Sequence, residues 1–227
     1  GTENIMMASV LAEGRSILRN VAKEPEVEDL ANFLNSMGAK ISGAGTDEIV
    51  IDGVEDLTGT KFSIPADRIE AGTYLIAAAI TGGDVTISNV QAPRMNNILD
   101  KLKLSGALIN VGDDNIQLVM ENDSILPVDI STAPFPGFPT DMQAQFTVLN
   151  ALSEGSSVVT ENVFENRFMH VQELNRMGCN ITVKGSNAFV KGVDSLNGAP
   201  VMATDLRPSA SLILAGLCAK GETIVDR

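Results

Sequence analysis

Hydrophobic positions along this chain follow three patterns, and the patterns recur in a fixed order. Strict alternation, as in Val85-Thr86-Ile87-Ser88, predicts short strands. Apolar residues three or four apart predict amphipathic helices over residues 27–37, 96–105 and 170–177. A third kind of segment, at 72–80, 143–152 and 209–219, is apolar on most sides and rich in small residues. A helix of that composition is buried on most sides, and glycine punctuates its end. Residues 40–42 and 48–52 flank Gly43-Ala44-Gly45 and predict a hairpin. Short strands at 61–64, 128–131 and 201–203 lead into the apolar helices, and an aspartate stands at the start of each: Asp67, Asp141 and Asp205.

The order is a repeat. Ala-Glu-Gly-Arg-Ser-Ile-Leu-Arg-Asn (12–20) matches segments at 81–89, 153–162 and 219–227, with shared glycines Gly14, Gly83, Gly155 and Gly221 spaced by 69, 72 and 66 residues. Met-Gly-Ala (37–39), Ser-Gly-Ala (105–107) and Met-Gly-Cys (177–179) form a second marker, spaced by 68 and 72. Each unit reads β-α-β-α-β-β. The expectation is an α/β protein whose small-residue helices bury one another with sheets outside. The chain opens inside a buried helix (2–13) and ends just after a strand (223–225), so both ends cut through a unit. It is therefore expected to be a piece of a longer protein, with a domain boundary near Ile64-Pro65-Ala66.

Charge narrows the partners. The 227 residues carry 16 Lys and Arg against 29 Asp and Glu, a net charge of −13. That balance argues against nucleic acid or an anionic membrane as partner, while a few local arginines suffice for a small anion. The longest uncharged apolar runs, 71–83 and 208–219, fall short of the ~20 residues of a membrane span, and no stretch reads as a signal peptide. Cys179 and Cys218 lack metal-ligand spacing and read as packed thiols, which fits a reducing, cytoplasmic setting. His170 is the single histidine, so a multi-histidine metal site is excluded and no metal or organic cofactor is expected.

Residues 136–170 hold the densest mixture of charge, amide and aromatic groups. Pro139 interrupts any strand. Thr140 with Gln143 has capping-box spacing, which predicts a helix from Thr140 to about Leu152 with Asp141 in its first turn. A carboxylate there is either a charge favoured by the helix dipole or a general base held at a helix mouth. Arg167 has Glu165 and Glu173 within reach as structural partners, and Asp205, like Asp67, has the alternative of a simple N-terminal helix charge.

Five segments carry a resemblance: Ala22–Glu26 (AKEPE), Leu34–Ser42 (LNSMGAKIS), Pro139–Phe146 (PTDMQAQF), Phe164–His170 (FENRFMH) and Val201–Arg207 (VMATDLR). Through them, essentially the whole chain resembles the C-terminal half of the UDP-N-acetylglucosamine 1-carboxyvinyltransferase family of enolpyruvyl transferases. The resemblance implies two similar domains, each an inside-out α/β barrel of three β-α-β-α-β-β units. Residues 1–65 would be the last unit of one domain, and residues 66–227 two units and the start of a third of the other. It implies transfer of the enolpyruvyl group of phosphoenolpyruvate to the 3-hydroxyl of UDP-N-acetylglucosamine, with release of phosphate. In the roles it implies, Asp141 bonds that hydroxyl and takes its proton, and the backbone of Val163 contacts the UDP-sugar. Arg167, Arg207 and Asp205 face the cleft, where the arginines hold the carboxylate and phosphate of phosphoenolpyruvate. The family's catalytic cysteine, on a mobile loop, matches neither Cys179 nor Cys218, and its phosphoenolpyruvate-binding lysine and asparagine are also missing. This chain would then supply one side of a cleft, partner the missing N-terminal half, and not turn over alone. Two alternatives stand beside this reading: the sister enzyme acting on shikimate 3-phosphate, and a non-catalytic UDP-sugar-binding fragment.

Overall fold

The computed structural model describes residues 1–121, 124–203 and 206–226, with backbone alone at 206–208. They form two compact units, one of residues 1–65 with 134–136, the other of residues 66–133 with 137 onwards.

The first unit runs α1 (Thr2–Val10), β1 (Arg15–Arg19), α2 (Pro25–Ser36), β2 (Lys40–Ser42) and β3 (Glu48–Asp52). Pro25 stands in the first turn of α2, where a missing N–H costs nothing, and Glu26 and Glu28 there suit the positive end of the helix. The strands form an antiparallel sheet in the order β1-β3-β2. Ile41, Ile49 and Ile51 point from it onto Met6, Val10, Val27, Ala31 and Leu34. Residues 61–64, predicted as a strand, are irregular instead. The hairpin β2–β3 already completes the sheet, Phe62 is taken up by a ring contact with Phe33 at 5.1 Å, and Ile64 faces outward, 80% exposed.

The second unit contains the motif twice and begins it again. Its first copy is α3 (Arg68–Ile80), β4 (Asp84–Ser88), α4 (Asn96–Leu104), β5 (Leu108–Val111) and β6 (Asn115–Val119). The second is β7 (Ile130–Ser131), α5 (Gln143–Ala151), β8 (Ser156–Thr160), α6 (His170–Arg176), β9 (Asn180–Lys184) and β10 (Asn187–Lys191). Next come β11 (Leu196–Asn197), β12 (Pro200–Met202), α7 (Leu206–Cys218), β13 (Ala219–Lys220) and β14 (Ile224–Asp226). Sheet orders β4-β6-β5 and β7-β8-β10-β9 reproduce that of the first unit, with β7 added in parallel at the edge.

The repeat extends to single hydrogen bonds. The carbonyls of the shared glycines Gly14, Gly83 and Gly155 accept from the amides of Gly53, Met120 and Gly192 at 2.8, 3.0 and 2.8 Å. A Cβ at Gly53 would run into the carbonyl of Ala12, and one at Gly192 into that of Ser153, so both crossings require glycine. The short parallel pairs agree too: Ile130 faces Val159 in β7–β8 as Val201 faces Val225 in β12–β14.

Helices α3, α5 and α7 pack on one another, and α5 is buried at every position. On α5, Asn150 holds the segment that leads into β7. Asn150 accepts from the Val128 amide and donates to the Val128 carbonyl, both at 2.9 Å. The architecture is mixed α/β, with no closed barrel among the described residues. Each three-stranded sheet is completed by its own hairpin, and only the two-to-three-residue parallel pairs extend beyond it.

Candidate functional site

Pro139 is extended (φ −69°, ψ 130°) and delivers the chain into a single 3-10 turn, Thr140–Met142, that continues as α5. The predicted capping box does not form, since no side chain caps this helix start. The Thr140 hydroxyl donates instead to Glu161 Oε2 at 2.8 Å. A bond to a carboxylate is the stronger of the two choices. Gln143, the expected partner, is buried, and its Nε2 has no hydrogen-bond partner.

Asp141 and Arg167 meet across this turn. Arg167 Nη2 donates to Asp141 Oδ1 at 2.8 Å, and Nη1 donates to Thr140 Oγ1 at 2.7 Å. The guanidinium carbon lies 4.7 Å from the ring centroid of Phe164, a cation–π contact that fixes its plane. The Arg167 side chain is 16% exposed and that of Asp141 35%. The carboxylate is thus oriented by its partner and still open to solvent. The structural alternative, a pair with Glu165 or Glu173, gives way to the pair with Asp141. Glu173 turns to Arg176 at 3.6 Å and accepts from the Met202 amide at 3.0 Å.

Glu161 is absent from the residues predicted from sequence. It is 4% exposed, and its carboxylate accepts four hydrogen bonds. Oε1 takes the Thr132 hydroxyl at 2.8 Å and the amides of Val163 and Phe164 at 2.9 and 3.0 Å. Oε2 takes Thr140. Four donors on one buried carboxylate offset its desolvation. The signal that could have found it lies in the repeat. The sixth residue after the shared glycine is Asn20 in one copy and Asn89 in the next, both left-handed at φ 55° and 57°, and Glu161 in the third.

Val163 is 39% exposed, and its amide is already engaged by Glu161. Arg167, Val163 and Asp141 are therefore joined through Thr140 and Glu161 in one network. Arg207 lies in the first turn of α7, with its side chain outside the described residues, and Asp205 lies outside them altogether. Asp67, by contrast, is a helix cap, its Oδ1 accepting from the amides of Ile69 and Glu70 at 2.7 and 3.1 Å. Among the described residues no group of three or more His, Cys, Asp and Glu side chains could hold a metal ion, and no helix is long and apolar enough to cross a membrane. Both cysteines are free thiols.

A carboxylate held this way can accept the hydrogen bond of a bound hydroxyl and take its proton, and the adjoining guanidinium can hold an anion beside it. The family described as EPSP synthase (3-phosphoshikimate 1-carboxyvinyltransferase) matches residues 1–227. UDP-N-acetylglucosamine 1-carboxyvinyltransferase from Hydrogenovibrio crunogenus is 62% identical over 227 residues, all of this chain and 54% of that protein. Its counterpart from Coxiella burnetii (strain Dugway 5J108-111) is 60% identical over the same span, 52% of its length. The chain thus spans about half the length of these relatives. Among solved structures, the enolpyruvyl transferase NikO from Streptomyces tendae superposes with a TM-score of 0.85 at 27% identity, covering 98% of this chain and 53% of that one. An EPSP synthase from Acinetobacter baumannii shares the fold, with a TM-score of 0.72 at 21% identity over 99% of this chain and 55% of that one.

Proposed function

The chain belongs to the enolpyruvyl transferase family described as EPSP synthase (3-phosphoshikimate 1-carboxyvinyltransferase), and within it we propose that the protein moves the enolpyruvyl group of phosphoenolpyruvate onto the 3-hydroxyl of UDP-N-acetylglucosamine and releases phosphate. The observation that carries this reading is the 60–62% identity that runs through all 227 residues. The paired Asp141 and Arg167 supply groups suited to it. Asp141 accepts the hydrogen bond of the sugar hydroxyl and removes its proton as the oxygen adds to C2 of phosphoenolpyruvate and C3 takes up a proton; loss of phosphate from C2 and of a proton from C3 then restores the double bond. Arg167, with Arg207 and Asp205, faces the anionic donor and the adduct it forms. Because the Val163 amide is used by Glu161, the UDP-sugar meets the Val163 carbonyl.

On this reading residues 1–65 are the last repeat unit of one domain, and residues 66–227 are two units and the start of a third of a second domain. Each domain is an inside-out α/β barrel of three such units. The rest of the catalytic apparatus comes from the N-terminal half of the same enzyme, as the twofold length of the relatives supports. A cytoplasmic location is part of the proposal and is in keeping with two free thiols.

The test is phosphate release by protein expressed from its complete coding region, with phosphoenolpyruvate and either UDP-N-acetylglucosamine or shikimate 3-phosphate. Release with the UDP-sugar alone is expected. Release with shikimate 3-phosphate alone assigns the sister reaction, and UDP-sugar binding without release assigns a binding module. Either outcome overturns the proposal.

A further inference from the structure

We propose that Glu161 is the positioning residue of this site: it touches no substrate, yet its carboxylate sets the geometry of Asp141, Arg167 and Val163 together. The inference rests on the enolpyruvyl transfer reading for its kinetic consequences and on geometry alone for its structural ones.

Two segments distant in sequence must be brought into register for the site to exist. One is the turn at Thr140–Met142, which carries Asp141. The other is the loop at 161–169, which carries Val163 and Arg167. Glu161 binds both. Through Oε2 it holds Thr140 Oγ1, the same oxygen that receives Arg167 Nη1. Through Oε1 it holds the Val163 and Phe164 amides, and Phe164 supplies the ring beneath the Arg167 guanidinium. The Thr140 hydroxyl has one proton, and Glu161 receives it. That fixes the oxygen's lone pairs toward Arg167, giving the relay Arg167 to Thr140 to Glu161.

Glutamine cannot replace this carboxylate. If the glutamine carbonyl faces Thr132 and the two amides, its NH₂ faces Thr140. Thr140 would then receive two donors and have no acceptor for its own proton. If the amide is flipped, its NH₂ opposes the Val163 and Phe164 amides. One half of the clamp is lost either way. In the two preceding repeat copies, the equivalent position is a left-handed asparagine, so the glutamate is particular to the copy that carries the ion pair.

The experiment compares Glu161→Gln, Thr140→Val, Thr140→Ser and the double variant Glu161→Gln/Thr140→Val in protein expressed from its complete coding region. The readouts are phosphate release and amide hydrogen exchange over residues 161–169. Displacing a reacting group by about 1 Å costs on the order of 100-fold. Glu161→Gln and Thr140→Val are each expected to lower kcat/KM by about 10- to 100-fold. The double variant should fall no further than the worse single one, because both break the same relay. Thr140→Ser keeps the hydroxyl and should restore activity to within about threefold. The Val163 and Phe164 amides should exchange faster in Glu161→Gln, while global protection holds. Multiplicative losses in the double variant, no rescue by serine, or unchanged exchange at Val163 and Phe164 would overturn the proposal. If the unsubstituted protein releases no phosphate, the functional reading falls, and the exchange measurement still decides whether Glu161 holds the loop.

Discussion

The starts of α3 and α5 both present an aspartate, Asp67 at 16 and Asp141 at 14 residues before the shared glycine of their copy, and the two do different jobs. At α3, Asp67 turns back on its own helix and accepts from two backbone amides. At α5, Asp141 makes no cap and reaches Arg167 on a loop 26 residues away in sequence. The difference comes from the neighbours. Before α5 the chain enters through a 3-10 turn whose threonine is claimed by Glu161, and the loop after β8 delivers a guanidinium. After β4 the corresponding position is Asn89, and the chain turns there without a buried carboxylate. An aspartate at the start of a helix thus serves as a cap or as one half of an ion pair, depending on its place in the first turn and on what the next loop brings.

The contrast is broken most decisively by substituting the two aspartates in turn. Asp141→Ala should reduce phosphate release by about 10²- to 10⁴-fold, the contribution of a positioned proton acceptor, with little change in melting temperature. Asp67→Ala should leave release unchanged and cost about 1 kcal/mol of stability, the usual loss for a cap. Thermal unfolding and steady-state kinetics on the same samples check both. Equal kinetic losses at the two positions would overturn the contrast. A smaller effect tests the repeat at the end of its second helix. Asn175 donates to the Ile181 carbonyl at 2.9 Å and accepts from its amide at 3.0 Å, as Asn35 does with Ile41 at 2.9 and 2.8 Å. The equivalent position in the intervening copy is Lys103, an exposed side chain 3.5 Å from Asp100. Asn175→Ala strands two backbone groups and should cost about 1–2 kcal/mol in chemical denaturation. Lys103→Ala should stay within about 0.5 kcal/mol.

Much of this architecture is legible in the chain because it is written more than once. The hairpin strands at 40–42 and 48–52 and the helices near 27–37, 96–105 and 170–177 are each set by local periodicity, and their observed bounds shift by two residues at most. The strand predicted at 61–64 fails because a strand needs a partner, and alternation in Lys61-Phe62-Ser63-Ile64 says nothing about whether one is present. At the site, Asp141 stood out by its place in the repeat, and Arg167 and Val163 only through a family likeness. The pairing of Asp141 with Arg167 depends on how two loops cross, and spacing along the chain is blind to that. Glu161 was hidden for a related reason. A buried carboxylate reads as a surface charge until the donors around it are known, and two of its four donors are backbone amides, which no side chain announces.

The smallest effect concerns the two thiols, and it sharpens the distinction between packing and chemistry. Cys179 follows Gly178, the marker glycine of its copy, where the equivalents are Ala39 and Ala107, and it packs as they do, 7% exposed. Burial penalises the thiolate and pushes its pKa up to about 12 from 9.0. Cys218 is also raised by burial, is less enclosed, and donates to the Ile80 carbonyl at 3.3 Å. The thiolate is the nucleophile, so at pH 8 native Cys179 should react with iodoacetamide at least about 100-fold more slowly than in denaturant, and more slowly than Cys218. Because the folded state holds this proton more tightly, its contribution to stability is complete below pH 9 and is lost as the pH rises from there toward 12. Cys179→Ala should flatten that alkaline loss and leave phosphate release intact. Mass-spectrometric labelling with pH-dependent unfolding checks the claim. Rapid native labelling of Cys179 at pH 8 would show that this position has left the packing role that its two alanine equivalents define.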